Sequence, residues 1–169
     1  MGRKSGKKNK VRFLVMRIGF IITNISFSGA QNVFNSVTSE LSKRGHEIYI
    51  LATNESNDFT DISERRYGLK SNKGSRYMRQ IRRIVGIKEV ALKHELDCMV
   101  AFGFNSNIKG IIASKLCHIP VVICERMAPD ALTNKLLKLE RALVYPKADG
   151  YIFQTKEIRN FFSKKIQKK

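Results

Sequence analysis

The sequence contains no tryptophan and only three prolines and three cysteines among its 169 residues. Cys98, Cys117 and Cys124 form no CxxC pair, and an odd number of cysteines leaves no complete disulfide framework. Cys98 and Cys124 lie in apolar runs, where cysteine behaves as a small hydrophobic residue. We therefore expect free, structural thiols without metal or redox chemistry, in keeping with a reducing cytoplasm.

Acidic residues are also scarce, because 14 Asp and Glu stand against 32 Lys and Arg, for a net charge of +18. Six of the cations lie in 1–12, which we expect to be a basic disordered tail. Removing these six from +18 still leaves +12, so the predicted folded domain at 13–169 is itself basic. Such a field attracts the phosphates of nucleic acids, anionic lipids or lipid-linked pyrophosphates.

Long apolar runs are missing, and none approaches the ~18 residues of a membrane-spanning helix. Five short, continuous runs are present instead, at 18–23, 48–53, 98–102, 121–124 and 150–153. Continuous rather than alternating hydrophobicity is typical of strands that are buried on both faces of a parallel sheet.

Segments with helical periodicity alternate with these runs. The first has Val33, Phe34, Val37 and Leu41 on one face and ends near Gly45, a favourable C-cap. The other helical segments are predicted at 78–95, 108–116, 132–143 and 155–166, with Thr155 as an N-cap. Residues 54–75 are polar and without a clear period, which predicts a mobile loop. The alternation predicts an α/β domain with a Rossmann-like, mainly parallel sheet flanked by helices.

Ligands of such sheets bind outside the carboxyl ends of the strands. The first turn at that edge contains Ser28, Gly29, Ala30 and Gln31, whose small residues allow the backbone to approach a ligand. The following helix N-terminus offers free N–H groups for an anion or a sugar hydroxyl. The turn has neither the GxGxxG pattern nor the GK[ST] ending of a P-loop. A plain strand-to-helix turn remains the alternative interpretation.

Polar residues also follow two later strands. Glu125 and Arg126 come directly after a fully apolar run, where they would form a structural ion pair or contact a polar substrate. Arg126 offers a planar guanidinium for a carboxylate or phosphate. Gln154 and Thr155 end the last run, and Thr155 has the alternative role of a helix cap.

The three histidines give no sign of a metal site. His46, His94 and His118 have no metal-ligand spacing and accompany no Ser or Cys nucleophile motif. We expect them to be structural or solvated, with no metal and no cofactor, and the catalytic residues stay unassigned.

Four segments together resemble a known family. SFSGAQNVFNSVTSELSKRGHEIYILAT at 26–53 resembles the opening of GT-B glycosyltransferases of family 4. LDCMVAF at 96–102 resembles the "PD-V-V" strand of that family. IPVVICER at 119–126, YPKAD at 145–149 and FQT at 153–155 resemble segments of its bacterial polysaccharide and lipid-linked oligosaccharide branch.

The resemblance covers about Arg17 to Lys165, with the segments in the correct order. Two positions differ from the family, because Ser28-Gly29 stands in place of a glycine pair and Gln31 in place of an acidic residue. The resemblance implies that the cleft is lined by Ser28, Gly29, Glu125, Arg126, Gln154 and Thr155. We expect Ala30 and Gln31 of the same first turn to contact substrate as well.

The same resemblance implies a function. The domain would be the acceptor-binding half of a retaining, metal-independent transferase, which moves a sugar from a nucleotide sugar to a glycan or polyprenyl-linked acceptor. The C-terminal donor domain is absent from these residues, so we expect the chain to be inactive alone, or completed by a separate donor-domain chain.

A membrane surface is a further expected partner. The helix predicted at 78–95 carries Arg79, Arg82, Arg83 and Lys88 around its apolar face, which suits interfacial contact with anionic lipid. A solvated helix face is the alternative. We therefore expect a cytoplasmic protein that is peripheral on the inner face of the cell membrane.

Two other functions compete with this hypothesis. One is a basic, non-enzymatic module that binds nucleic acid or other anions, although the cations are spread rather than interleaved with aromatics and no reading motif occurs. Nucleic acid is therefore disfavoured as a partner. The other is a Rossmann-like enzyme such as a sugar-nucleotide epimerase.

Overall fold

The structure, a computed structural model, describes residues 14–24, 29–55, 65–128 and 131–169, without the side chains of 29–31. The predicted tail at 1–12, Ser28 and residues 56–64 of the predicted loop lie outside the described residues.

The described chain alternates strands and helices. In order, these are β1 (Arg17–Ile22), α1 (Gly29–Lys43), β2 (Glu47–Ala52), β3 (Arg66–Gly68), α2 (Arg76–Lys93), β4 (Cys98–Phe102), α3 (Phe104–Cys117), β5 (Val121–Glu125), α4 (Lys135–Val144), a 3₁₀ turn (Tyr145–Lys147), β6 (Gly150–Phe153), α5 (Lys156–Phe161) and α6 (Lys164–Gln167). The strands form one sheet in the order β3-β2-β1-β4-β5-β6, and every neighbouring pair is parallel. The predicted Rossmann-like α/β class is confirmed.

Two local predictions were wrong. Residues 66–68 belong to β3 rather than to a loop, because their backbone pairs with β2 from Ile50 to Ala52. An edge strand of three residues needs no apolar run to make these bonds. The helix predicted at 155–166 divides into α5 and α6, because Phe162 adopts an extended backbone with ψ of 158°.

The sheet is covered on both faces, since alternate residues of a strand point to opposite sides. On one face, Phe20 of β1 packs against Phe34 of α1 and Phe102. On the other face, α2, α3 and the inner side of α4 cover a larger core that includes Ile21, Leu51, Met99, Ala101 and Ile123. The helix α3 lies close to the sheet at Gly110, where a Cβ would come within 3.0 Å of Ala101 Cβ and Ile21 Cδ1.

Because all six strands are parallel, their carboxyl ends meet at one edge, here called the carboxyl edge. Backbone bonds continue across that edge beyond the strands. Thr53 N–H donates to Ile22 O, Gly103 N–H to Cys124 O and Gln154 N–H to Glu125 O, with N···O distances of 2.9, 3.2 and 3.2 Å. The turns after neighbouring strands are therefore held together. Among the described residues, no helix combines the length and apolarity needed to cross a bilayer.

Candidate functional site at the carboxyl edge

The N-terminus of α3 opens directly onto the carboxyl edge. Gly103 precedes it with φ of 85°, a left-handed conformation that glycine adopts without strain, and no side chain caps the helix. Ser106 in the first turn is fully buried, and its hydroxyl oxygen lies 3.2 Å from that of Thr23, just after β1. The end of β1 and the start of α3, with its partial positive charge, are thus joined at one place.

Glu125 ends β5 and lies beneath the loop that follows it. The residue is only 1% exposed. Its Oε1 accepts hydrogen bonds from the N–H groups of Arg126 and Met127, both at 2.8 Å, and its Oε2 accepts one from the Tyr145 hydroxyl at 2.5 Å. The bond to Tyr145 is buried, and the two backbone bonds are part-buried. The carboxylate therefore fixes the shape of this loop from below.

Tyr145 connects this carboxylate to α3. Its hydroxyl also accepts a hydrogen bond from Asn107 Nδ2 at 3.1 Å, and the same amide donates to Cys124 O at 3.2 Å. The ring stacks on Phe162, with centroids 5.9 Å apart. Burial, followed by the charge and hydrogen bond of Glu125, raises the pKa of Tyr145 well above its ordinary range, so the hydroxyl stays protonated.

The sequence alone did not single out Asn107. Asn107 is fully buried. The helix was predicted from its apolar positions, which begin at Ile108, so a polar residue just before them carried no signal. Asn107 Oδ1 has no hydrogen-bond partner among the described residues. A buried amide in contact with both Tyr145 and β5 makes this network specific for one arrangement of the loop.

Arg126 and Gln154 bring two of the predicted turns together. Arg126 Nε lies 3.4 Å from Gln154 Oε1; Arg126 is half-buried and Gln154 is exposed. Thr155 Oγ1 accepts from Ile158 N–H at 3.3 Å and caps α5, so the cap interpretation of Thr155 is confirmed. Arg126 and Gln154 thus place a guanidinium and an amide beside the loop that Glu125 supports.

The first predicted turn is described only in part. Gly29 and Ala30 begin α1 and Gln31 follows in its first turn, as the sequence indicated. Ser28 and the side chains of Gly29, Ala30 and Gln31 lie outside the described residues, so their proposed contacts stay predictions.

Two of the histidines have structural roles. His46 Nδ1 accepts from Met16 N–H at 3.2 Å, and His94 lies between Tyr49 and Tyr67, with Nε2 2.6 Å from the Tyr67 hydroxyl. His118 ends α3 in a left-handed conformation with φ of 56°. Within 14–24, 29–55, 65–128 and 131–169, no group of three or more His, Cys, Asp or Glu residues could hold a metal ion.

The four cations predicted to face a membrane lie on α2 in unequal environments. Arg82 is exposed and donates to Lys73 O at 2.6 Å, whereas Arg79, Arg83 and Lys88 are half-buried. Arg83 turns toward the sheet, because its Nη2 donates to Asn54 Oδ1 at 3.2 Å. Burial lowers the pKa of Arg83 from its ordinary value.

A parallel sheet with polar loops gathered at its carboxyl edge is typical of a Rossmann-like nucleotide-fold domain. The sequence model of the Glycosyltransferase family 28 N-terminal domain matches residues 31–146, more than half of the chain. The protein therefore belongs to this family. The predicted GT-B character is confirmed, whereas the match is to family 28 and does not support the more specific assignment to family 4.

A curated relative points the same way. The UDP-N-acetylglucosamine--N-acetylmuramyl-(pentapeptide) pyrophosphoryl-undecaprenol N-acetylglucosamine transferase of Neisseria meningitidis is 27% identical over 128 residues, which cover 67% of this chain and 36% of the relative. The chain thus spans about a third of that relative's length.

Solved structures share the fold at low identity. MurG of Acinetobacter baumannii superposes with a TM-score of 0.65 at 17% identity, over 88% of this chain and 42% of its own. The galactosyltransferase WaaB gives 0.67 at 18% identity, over 86% and 41%. The UDP-GlcNAc 2-epimerase of Methanocaldococcus jannaschii gives 0.67 at 16% identity, also over 86% and 41%. These likenesses show the fold alone.

Proposed function

We propose that this domain is the acceptor-binding wall of a glycosyltransferase that transfers a sugar from a nucleotide sugar to a polyprenyl-pyrophosphate-linked acceptor. The observation that carries the proposal is the convergence of Arg126, Gln154 and the α3 N-terminus at one sheet edge of a family 28 domain. The pyrophosphoryl-undecaprenol acceptor named for the Neisseria relative supports the acceptor class.

Each polar group has a proposed role. The guanidinium of Arg126 binds the acceptor pyrophosphate, because a planar fork of donors matches phosphate oxygens. Gln154 orients the guanidinium and offers its amide to the sugar. Glu125 acts indirectly, because it holds the Arg126 backbone N–H. The turn of Ser28, Gly29, Ala30 and Gln31 faces the donor phosphates or the acceptor.

A second, donor-binding domain completes the site, in the same polypeptide or in a separate one. Sugar transfer depends on holding the acceptor and the nucleotide sugar in one geometry, and positioning supplies much of such catalysis. We therefore expect these 169 residues to bind acceptor but not to turn over without that domain.

The stereochemical outcome is a separate prediction. Retention at the anomeric carbon was implied by the family 4 resemblance, and the family 28 match removes that basis. Proton NMR of the product of the completed enzyme distinguishes retention from inversion, because the anomeric coupling constant differs between the two.

Acceptor binding tests the proposal directly. Isothermal titration would use the chain and a short-chain, water-soluble prenyl pyrophosphate that carries one N-acetylated sugar. Because a hydrogen bond to a charged group contributes about 1.5–3 kcal/mol, Arg126→Ala should weaken binding by at least about tenfold. Arg126→Lys should recover part of the affinity, since it keeps the charge but loses the fork.

Arg44→Ala is the matched control. Arg44 is an exposed arginine paired with Glu40 after α1, at the opposite edge of the sheet. Loss of affinity in both arginine variants would indicate general charge attraction, and absence of binding by the unchanged chain would refute the acceptor-binding role. If the chain converted UDP-GlcNAc to its 2-epimer, the epimerase hypothesis would be favoured instead.

A peripheral position on an anionic, cytoplasm-facing membrane is part of the same proposal, since a lipid-linked acceptor resides there. The cations of α2 (Arg79, Arg82, Arg83 and Lys88) remain the predicted contacts, with Arg82 the most exposed of the four. Sedimentation with anionic and neutral vesicles tests this position, and equal binding to both would contradict an electrostatic contact.

A further inference from the structure

Lys109 is a buried cation in the second turn of α3. It is only 8% exposed, and its Nζ donates a hydrogen bond to Asn105 O at 2.9 Å, one turn nearer the carboxyl edge. An ammonium group has three donors, and the ion pairs among the described residues do not include Lys109. The side chain therefore carries its charge toward the α3 N-terminus without an ion-pair partner in the described part of the chain.

The two helices that contact α3 add charges of opposite sign near Lys109. Burial and, after it, the charge of Arg83 on α2 lower the pKa of Lys109 to about 8, whereas the charge of Glu140 on α4 acts in the opposite direction. Burial of one cation beside another destabilises a fold. Groups perturbed in this way concentrate at functional sites, and an anion bound between the two cations would relieve their repulsion.

Arg83 reaches the same end of α3 from α2. Its Nη2 donates to Asn54 Oδ1 at 3.2 Å, and Asn54 N–H donates to Thr23 O at 3.0 Å. The Thr23 hydroxyl oxygen in turn lies 3.2 Å from that of Ser106 in the first turn of α3. Arg83 Nε is buried and has no hydrogen-bond partner among the described residues. The guanidinium is thus held at the carboxyl edge with part of its donor capacity unused.

Arg83 and Arg126 lie at different places along the carboxyl edge. Asn54, the partner of Arg83, follows β2, and Arg126 follows β5, which lies three strands away in the sheet. At about 4.8 Å between neighbouring strands, these positions are about 14 Å apart. Arg126 extends still further away, toward Gln154 after β6. One pyrophosphate bound by Arg126 therefore does not reach Arg83.

The place of the two cations in the sheet indicates which anion they would meet. In the order β3-β2-β1-β4-β5-β6, the strand order reverses between β1 and β4. Sheets of this kind bind the phosphates of nucleotides in the crevice at that point. The contact between Thr23, after β1, and Ser106, in the helix after β4, lies at this crevice. Lys109 and Arg83 therefore flank the place where a nucleotide phosphate would bind.

We propose that Lys109 and Arg83 form a second anion subsite, which binds the diphosphate of the nucleotide substrate while Arg126 binds the acceptor pyrophosphate. This inference rests on the proposed function, because it divides the cleft between the two substrates of that reaction. It assigns Arg83 to the cleft, so the membrane contact predicted for α2 depends on the other cations of that helix.

Isothermal titration of the full chain with uridine diphosphate (UDP) measures this subsite, since the Neisseria relative is named for a UDP-linked sugar. Lys109→Met and Arg83→Gln should each weaken binding by about tenfold or more, because each removes a charged hydrogen-bond donor. Lys115→Met is the matched control, since Lys115 lies on the same helix but is exposed and pairs with Asp149 at 3.1 Å. It should bind UDP as the unchanged chain does. Loss of binding in Lys109→Met would not reflect unfolding, because removal of this buried cation is expected to stabilise the domain.

Proton uptake separates a binding role of Lys109 from a structural one. In the free chain at pH 8 about half of Lys109 is deprotonated, and a bound diphosphate would restore the missing proton. Titrations with UDP at pH 8, in two buffers of different ionisation enthalpy, should therefore show uptake of about half a proton by the unchanged chain and by Lys115→Met. Lys109→Met should show none. Equal uptake by Lys109→Met and the unchanged chain would overturn the inference.

The remaining outcomes separate this inference from the proposed function. The inference would be overturned if the unchanged chain failed to bind millimolar UDP, if neither test variant weakened binding, or if Lys115→Met weakened it equally. Test variants that keep UDP but lose the water-soluble prenyl pyrophosphate would assign the subsite to the acceptor and refute the nucleotide assignment. Unchanged acceptor binding by Arg126→Ala would overturn the proposed role of Arg126 and leave the UDP result standing.

Discussion

Removal of the Tyr145 hydroxyl tests whether a buried network holds the loop after β5. Tyr145→Phe keeps the ring and its stacking on Phe162, so it changes the hydrogen bonds and little else. The variant deprives the Glu125 carboxylate of one donor, while Asn107 Nδ2 retains its bond to Cys124 O. The variant also removes the bond from Asn107 Nδ2 to the hydroxyl, so the perturbation falls mainly on one buried, charged acceptor.

The expected cost follows from that acceptor. A hydrogen bond to a charged group contributes about 1.5–3 kcal/mol, and Glu125 is 1% exposed, so water does not replace the lost donor. We expect the free energy of unfolding to fall by about 2 kcal/mol. With a urea m-value of about 2 kcal/mol/M, the midpoint of urea unfolding should fall by about 1 M at unchanged slope.

Tyr151→Phe is the matched control. The Tyr151 hydroxyl donates to a neutral acceptor, the backbone oxygen of Tyr145, at 2.6 Å, and Tyr151 is half-buried. Its loss should cost only about 0.5–1.5 kcal/mol. Equal effects of the two variants, or a Tyr145→Phe effect below about 0.5 kcal/mol, would refute the special role of the Glu125 network.

Three other predictions concern buried groups. Burial lowers the pKa of Lys109 from its ordinary 10.5 to about 8. Between pH 8 and pH 10.5 the unfolded state therefore binds more protons than the folded state, so the free energy of unfolding should rise with pH. Lys109→Met should abolish that rise in urea unfolding and stabilise the fold near neutral pH by on the order of 2 kcal/mol; parallel pH profiles would contradict this. Gly110→Ala should destabilise by about 1–2 kcal/mol in thermal unfolding, because its Cβ would meet Ala101 and Ile21, and a stabilised variant would disprove this tight packing. Burial raises the pKa of Cys124 to about 12, so in mass spectrometry its thiol should alkylate more slowly than those of the other two cysteines, and faster labelling would contradict its burial.

Much of the fold was predictable from local pattern. The five continuous apolar runs correspond to β1, β2, β4, β5 and β6. In the central strands the cause is burial on both faces of the sheet, whereas the edge strand β6 is apolar although none of its residues is fully buried. Thr155 was recognisable as a cap, since its hydroxyl serves an N–H group three residues away. Such features depend on neighbours in sequence.

The candidate site was predictable in position but not in detail. The sequence placed Glu125, Arg126 and Gln154 at the carboxyl edge, because each follows a strand. It did not indicate that the Glu125 carboxylate turns inward, or that Asn107 joins it through Tyr145. Those contacts join residues 17 to 38 positions apart in the chain, and no local pattern reports them.

By itself, the sequence determined five of the six strands, most of the helices and that the chain is basic, because periodicity and charge are local properties. The tertiary structure alone decided which side of each helix is covered. The apolar spacing of α4 defines a face, but the stacking of Arg141 on Phe161 and Phe162 turns that face outward. The pairing of β3 at the sheet edge was decided in the same way, since its backbone bonds depend on β2 and not on its own side chains.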